Sequence, residues 1–289
     1  MEQKSTFLLL YCFFILTLFT NCTKEGIQVT ENKSEQLRVV EEQSLNTTVE
    51  TKPPILYPIK VKIVNNCLGH YVAAPALYKS TTKKYPLIVS LAGQLELGTA
   101  GTDFNKVLSF GIPKRISDKV FPPNFVVGGK NYSFLVMIPQ FVKWPSVEDV
   151  RAVITYACQH YRVDTTRIYL TGFSMGGALS WQYAAKYGSK IAAVLPMAGP
   201  AKLNSTGAKY IADHKLAVWG FHNDYDNIVS SSITKSNVKL INSFNPVIPA
   251  KITIRSTGGH NIWDVVTFAN YIPKDNRTNI YEWMLQYKR

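Results

Sequence analysis

The sequence predicts an α/β fold with a doubly wound, mainly parallel sheet in a single domain, and three observations predict it. Short β-branched apolar runs recur along residues 59–254, several of them continuous rather than alternating, as strands covered on both faces require. Helical periodicity separates the later runs, and strands alternating with helices make βαβ units with right-handed crossovers. The chain has 289 residues, 46% hydrophobic and 12% aromatic, enough for one sizeable core.

The first element stands apart from that fold. Lys4 precedes an apolar run from Phe7 to Phe19 that only Thr17 interrupts. The run falls short of the ~20 residues a spanning helix needs, and reads as the core of a secretion signal over residues 1–21. It stops at Phe19-Thr20-Asn21-Cys22, which resembles the lipobox of bacterial lipoproteins, with Cys22 as the lipidated residue. An ordinary cleaved signal and an uncleaved anchor are the alternatives. All three place the protein outside the cytoplasm, on the first reading as a membrane-anchored lipoprotein of the cell envelope and otherwise secreted. Residues 22–54 lack aromatics and end in Lys52-Pro53-Pro54, the composition of a solvated tether. The folded domain is then expected over residues 55–289.

Within that domain, strands are expected at Ile59–Val64, Leu87–Leu91, Phe134–Ile138, Ile168–Leu170, Ile191–Leu195, Leu216–Trp219 and Ile252–Ile254. Helices are expected at Val147–Tyr161, Met175–Tyr187, Val229–Asn242 and Asn279–Tyr287. The stretch Gly98–Val126, with Gly111-Ile112-Pro113 and Phe121-Pro122-Pro123, reads as irregular and as one wall of a site. The net charge is +13, but the basic residues are scattered, with the densest run only at Lys79 to Lys84, so nucleic acid is not an expected partner. Of four cysteines, Cys12 lies in the leader and Cys22 is the lipid candidate; Cys67 and Cys158 carry no disulfide-framework signature. No His/Cys cluster has zinc spacing, and no motif asks for a metal or another cofactor.

The chemistry lies in one constellation. Arg167-Ile168-Tyr169-Leu170-Thr171 reads as a strand running into Gly172-Phe173-Ser174-Met175-Gly176-Gly177 and then into a helix. This is G-x-S-x-G in the strand–turn–helix setting of a nucleophile elbow, with Ser174 as covalent nucleophile and Met175 N–H facing a developing oxyanion. A serine hydroxyl is a weak nucleophile, so it needs a base and an acid to orient that base. His260 follows Gly258-Gly259 after a late strand and reads as the base. Asp226 and Asp224 both follow the strand before it, and Asp226, further from the strand end, reads as the acid. His222 reads as a structural loop residue. The loop after Leu87–Leu91, Ala92-Gly93-Gln94-Leu95-Glu96, should give the second oxyanion donor, with Gln94 N–H as the candidate.

With these pieces placed, the chain resembles the feruloyl esterase and polyhydroxybutyrate-depolymerase-like branch of the α/β hydrolases, close to the prolyl-oligopeptidase-type phospholipase/carboxylesterases. The markers are Pro86-Leu87-Ile88-Val89, Gly111-Ile112-Pro113, Ile138-Pro139-Gln140, Tyr161-Arg162-Val163-Asp164, the Ser174 elbow, Gly259-His260-Asn261-Ile262-Trp263-Asp264 and Tyr281-Glu282-Trp283. The resemblance implies an acid in a pattern like H-G-x-x-D-x-x-V, falling on His222, Asn223, Asp226 and Val229. It implies hydrolysis of carboxylic esters, such as acetyl or feruloyl esters of polysaccharides or small esters, through an acyl-enzyme. Where the family carries His-Gly-x-Gly-Glu, this chain has Ala92 and Leu95 in place of the His and second Gly. A serine peptidase of related fold and a non-catalytic glycan-binding surface lipoprotein are the competing functions.

Overall fold

The computed structural model describes residues 35, 36, 38, 48–274 and 276–289. The chain divides into two compact units, Met1–Leu45 and Asn46–Arg289. In the first, Glu35, Gln36 and Arg38 are helical and exposed. The signal segment and Cys22 lie outside the described residues.

The second unit is built on an eight-stranded sheet of order β1-β2-β6-β3-β7-β8-β9-β10. Its strands are β1 (Ile55–Ile59), β2 (Cys67–Ala74), β3 (Tyr85–Leu91), β6 (Leu135–Phe141), β7 (Val163–Phe173), β8 (Ala193–Met197), β9 (Ala217–Tyr225) and β10 (Lys251–Gly258). β1, β2 and β6 pair antiparallel, and every pair from β6 onward is parallel. A separate hairpin is formed by β4 (Phe125–Val127) and β5 (Lys130–Tyr132). The helices are α1 (Gly111–Ser117), α2 (Val147–His160), α3 (Met175–Tyr187), α4 (Ser205–Asp213), α5 (Ser232–Asn242), α6 (Trp263–Val266) and α7 (Ile280–Leu285). One core cluster joins α2, α3, α4 and α5 to one sheet face, and a second joins α1, α6 and α7 to the other. Leu87, Val89 and Leu170 point into the first and Ile88 and Tyr169 into the second, which explains why β3 and β7 read as unbroken apolar runs.

Several expectations need correction. The strand read at Ile59–Val64 lies at Ile55–Ile59, because Cys67 N donates to Val64 O and Ile63 N to Cys67 O in a turn that ends the pairing. The stretch Gly98–Val126 is only partly irregular, since it contains α1. The helix read at Asn279–Tyr287 is regular over Ile280–Leu285, with Asn279 as its cap accepting from Tyr281 N and Glu282 N. β2 and α4 were not expected. The compact unit begins before Ile55: Glu50 is buried, its carboxylate accepts from Leu77 N at 3.0 and 3.2 Å, and its carbonyl accepts from Asn124 Nδ2. Cys67 and Cys158 are both free thiols.

Candidate active site

β3, β7, β9 and β10 run parallel, so the connectors leaving their C-terminal ends emerge along one edge of the sheet. Those connectors hold Gln94, Ser174, Asp226 and His260. The strand order reverses at β3, whose neighbours are β6 and β7, and such a switch point opens a crevice beyond the strand ends.

Ser174 sits between β7 and α3 with φ 51° and ψ −114°, a backbone that L-residues rarely adopt. The elbow closes so tightly that a Cβ on Gly172 would lie 2.5 Å from the Gly176 carbonyl, and one on Gly176 would lie 2.3 Å from Leu91 O. Both positions therefore require glycine, and the second contact presses the head of α3 against the start of the Ala92–Glu96 loop. Met175 opens α3, and Gln94 opens a short 3₁₀ turn over Gln94–Glu96. As first residues of their turns, neither has an acceptor one turn back for its N–H. Both predicted oxyanion donors are thus first residues of their turns, on connectors that leave neighbouring parallel strands β3 and β7.

The acid and base meet. His260 Nδ1 lies 2.7 Å from Asp226 Oδ2, and Asp226 Oδ1 accepts from Ile228 N at 2.8 Å and Val229 N at 2.9 Å. Burial pushes the Asp226 carboxyl up, but the donors from His260, Val229 and Ile228 outweigh it and hold it below the ordinary carboxylate range. It is therefore a carboxylate at neutral pH. His260 Nε2 is buried and has no hydrogen-bond partner, so the nitrogen that would take a proton is unoccupied. No hydrogen bond joins it to Ser174. Ring contacts connect the two instead: Trp263 stands edge-on to His260 at 5.1 Å and stacks on Phe173, the residue before Ser174, at 4.3 Å. Asp224, the alternative acid, is turned away onto Lys235 and Ser231.

Other residues named in the sequence motifs have contacts that the motifs do not record. His222 belongs to β9 rather than to a loop and touches Asp226. Asn223 Nδ2 donates to Gly259 O at 2.9 Å, and its Oδ1 accepts from Thr257 Oγ1 at 2.9 Å, so β9 holds the segment before His260. Asp264 accepts from Gly111 N at 3.0 Å, from Arg115 Nη2 at 3.3 Å and from Asn261 Nδ2 at 2.8 Å, tying the His260 loop to α1. Glu96 is only 5% exposed, and its Oε2 has no partner. Burial raises its pKa against the lowering effect of the Gly93 and Glu96 backbone N–H groups and Lys106. The departure at Leu95 leaves that side chain 85% exposed. Among the described residues no group of three or more His, Cys, Asp or Glu is placed to hold a metal ion.

A family model described as the alpha/beta hydrolase fold matches residues 108–245, a span holding Ser174 and Asp226. The chain has the α/β-hydrolase fold. A thermostable esterase superposes on 82% of this chain with TM-score 0.55 and 20% identity, the match spanning 63% of that protein. A ferulic acid esterase from Anaeromyces mucronatus, solved with ferulic acid, superposes on 78% with TM-score 0.54 and 14% identity, over 92% of its own length. At these identities the likeness establishes the fold. In sequence, a bifunctional acetylxylan esterase/xylanase from Neocallimastix patriciarum is 33% identical over 81 residues, which are 28% of this chain and 12% of that protein.

Proposed function

We propose that this protein is a serine carboxylic-ester hydrolase working through an acyl-enzyme. The observation that carries the reading is the 2.7 Å bond from His260 Nδ1 to the Asp226 carboxylate, with the opposite ring nitrogen unpartnered and Ser174 strained at its elbow nearby. In this mechanism Ser174 Oγ attacks the ester carbonyl as His260 Nε2 takes its proton. Asp226 holds the ring through Nδ1 and stabilises the imidazolium, and the N–H groups of Met175 and Gln94 face the oxyanion. The imidazolium then gives its proton to the leaving alcohol, and water repeats the sequence on the acyl-enzyme. The esterase names among its structural and sequence relatives favour acetyl or feruloyl esters of polysaccharides as substrates, with a small ester as the minimal one. Anchoring at the cell envelope through a lipid on Cys22 belongs to the same reading and rests on the leader alone.

p-Nitrophenyl acetate tests the chemistry. A pre-steady-state burst of nitrophenol and labelling of Ser174 by a fluorophosphonate are expected from the wild type, and neither from Ser174→Ala. A wild-type protein that shows neither burst nor label is not a serine esterase, and the glycan-binding alternative then leads. Mass spectrometry of the mature N-terminus, with a diacylglyceryl adduct on Cys22 expected, tests the anchor.

A further inference from the structure

His222 is fully buried in β9, at a point where the proposed mechanism gives it nothing to do. Its Nε2 lies 2.9 Å from Val229 O and 3.2 Å from Asp226 Oδ2, and its Nδ1 lies 2.8 Å from Thr234 Oγ1. A carbonyl and a carboxylate can only accept, so Nε2 must carry the ring proton. Burial opposes charging this ring, against the raising effects of Val229 and Asp226, and its pKa is lowered. The neutral ring then has an acceptor at Nδ1, and the hydroxyl of Thr234, itself wholly buried on α5, donates to it. Three partners thus select one tautomer, and that tautomer points a donor at the same carboxylate oxygen that receives His260.

We propose that His222 is a positioning residue for the acid–base pair: its Nε2–H, shared between Val229 O and Asp226 Oδ2, fixes the carboxylate in the orientation that receives His260 Nδ1. Asp226 then has donors at every approach, Ile228 N and Val229 N on Oδ1 and the two imidazoles on Oδ2. A carboxylate so enclosed cannot rotate without breaking several bonds at once. Orientation therefore passes from α5 through Thr234, His222 and Asp226 to His260, by hydrogen bonds at the two ends and by the 3.2 Å contact of His222 Nε2 with Asp226 Oδ2 between them. The proposal rests on the esterase reading, because it assigns His222 a role in placing the base of that reaction.

The test has a readout that needs no turnover. In ¹⁵N-edited spectra of the wild type, His222 is expected as the Nε2–H tautomer, with a low-field proton for the His260 Nδ1–H bond to Asp226. Thr234→Val removes the donor to Nδ1 at constant volume and should mix the His222 tautomers and shift the His260 proton. In turnover of p-nitrophenyl acetate, His222→Phe is expected to lower kcat by about 10- to 100-fold with little change in KM. His222→Gln, whose amide nitrogen reaches the Nε2 position, should recover most of that loss. A His222 protonated at Nδ1, or a folded His222→Phe protein with wild-type kcat, overturns the proposal. Should His222→Phe not fold, Thr234→Val decides: an unchanged kcat with an unmoved His260 proton rejects the role. A wild type inert to esters and to fluorophosphonate sinks the esterase reading instead, while the tautomer and the His260 proton still report on His222.

Discussion

The left-handed backbone of Ser174 is where structure and chemistry pull against each other, since a non-glycine residue held there costs on the order of 1–3 kcal/mol. Ser174→Gly is therefore expected to be inactive yet to melt above the wild type, while Ser174→Ala, equally strained, should be inactive without that gain; differential scanning calorimetry separates them. Asn223 is the opposite case, a side chain present where the resembling pattern has glycine. Its buried amide satisfies both Gly259 O and Thr257 Oγ1, and Asn223→Ala should cost about 1–3 kcal/mol in urea unfolding and lower kcat more than it raises KM. The Ser174 elbow was legible because its glycines sit at a fixed local spacing, and the pairing of His260 with Asp226 because both follow the ends of late strands. The contacts of Asn223, His222 and Glu96 were not, because Asn223 reaches Gly259 and Thr257 on another segment and no local pattern records that His222 and Glu96 are buried.

Among the elements, α1 does most to place the base without touching it. Gly111 N and Arg115 both donate to Asp264, four residues after His260, and Arg115 lies over the Phe268 ring at 3.8 Å. Phe110, just before the helix, meets both Phe173 and Trp263 edge-on. Asp264→Ala leaves the nearly buried Arg115 without its anion and is expected to destabilise by roughly 3 kcal/mol, with kcat falling as His260 loses its support; Asp264→Asn, which keeps an acceptor for Gly111 N, should retain more of both. Urea midpoints and steady-state kinetics report the two effects. The Gly98–Val126 stretch hid this helix because Gly111 and Pro113 read as breakers, although proline in a first turn costs no internal hydrogen bond. α4 was missed for a related reason, since Ser205, Thr206 and Gly207 give its first turn no apolar face. α3 was legible because its periodic pattern follows directly from the elbow.

For the whole unit, acid should act through buried histidines. His70 is fully buried on β2, hydrogen-bonded through Nε2 to Tyr161 and packed against Tyr156, and burial, with the His160 charge, lowers its pKa to about 4. The unfolded chain, with a histidine near 6.5, binds that proton first, so stability is intact above pH 6.5 and falls as pH drops toward 4, by about 3 kcal/mol from this group. His70→Gln should flatten that part of the pH–stability curve, measured by urea unfolding between pH 4 and 7. The order of the strands in the sheet also has a thermal consequence. His260 hangs from β10, which among the described residues ends the sheet and pairs with β9 alone, and which is partly exposed along its length. An outermost strand opens more readily than the central ones, and when β10 frays the base leaves with it while β3, β7 and β8 remain in register. Heating should therefore abolish ester turnover some degrees before tryptophan fluorescence reports melting, and prompt cooling should restore it, so that the enzyme switches off by losing its margin before it loses its fold.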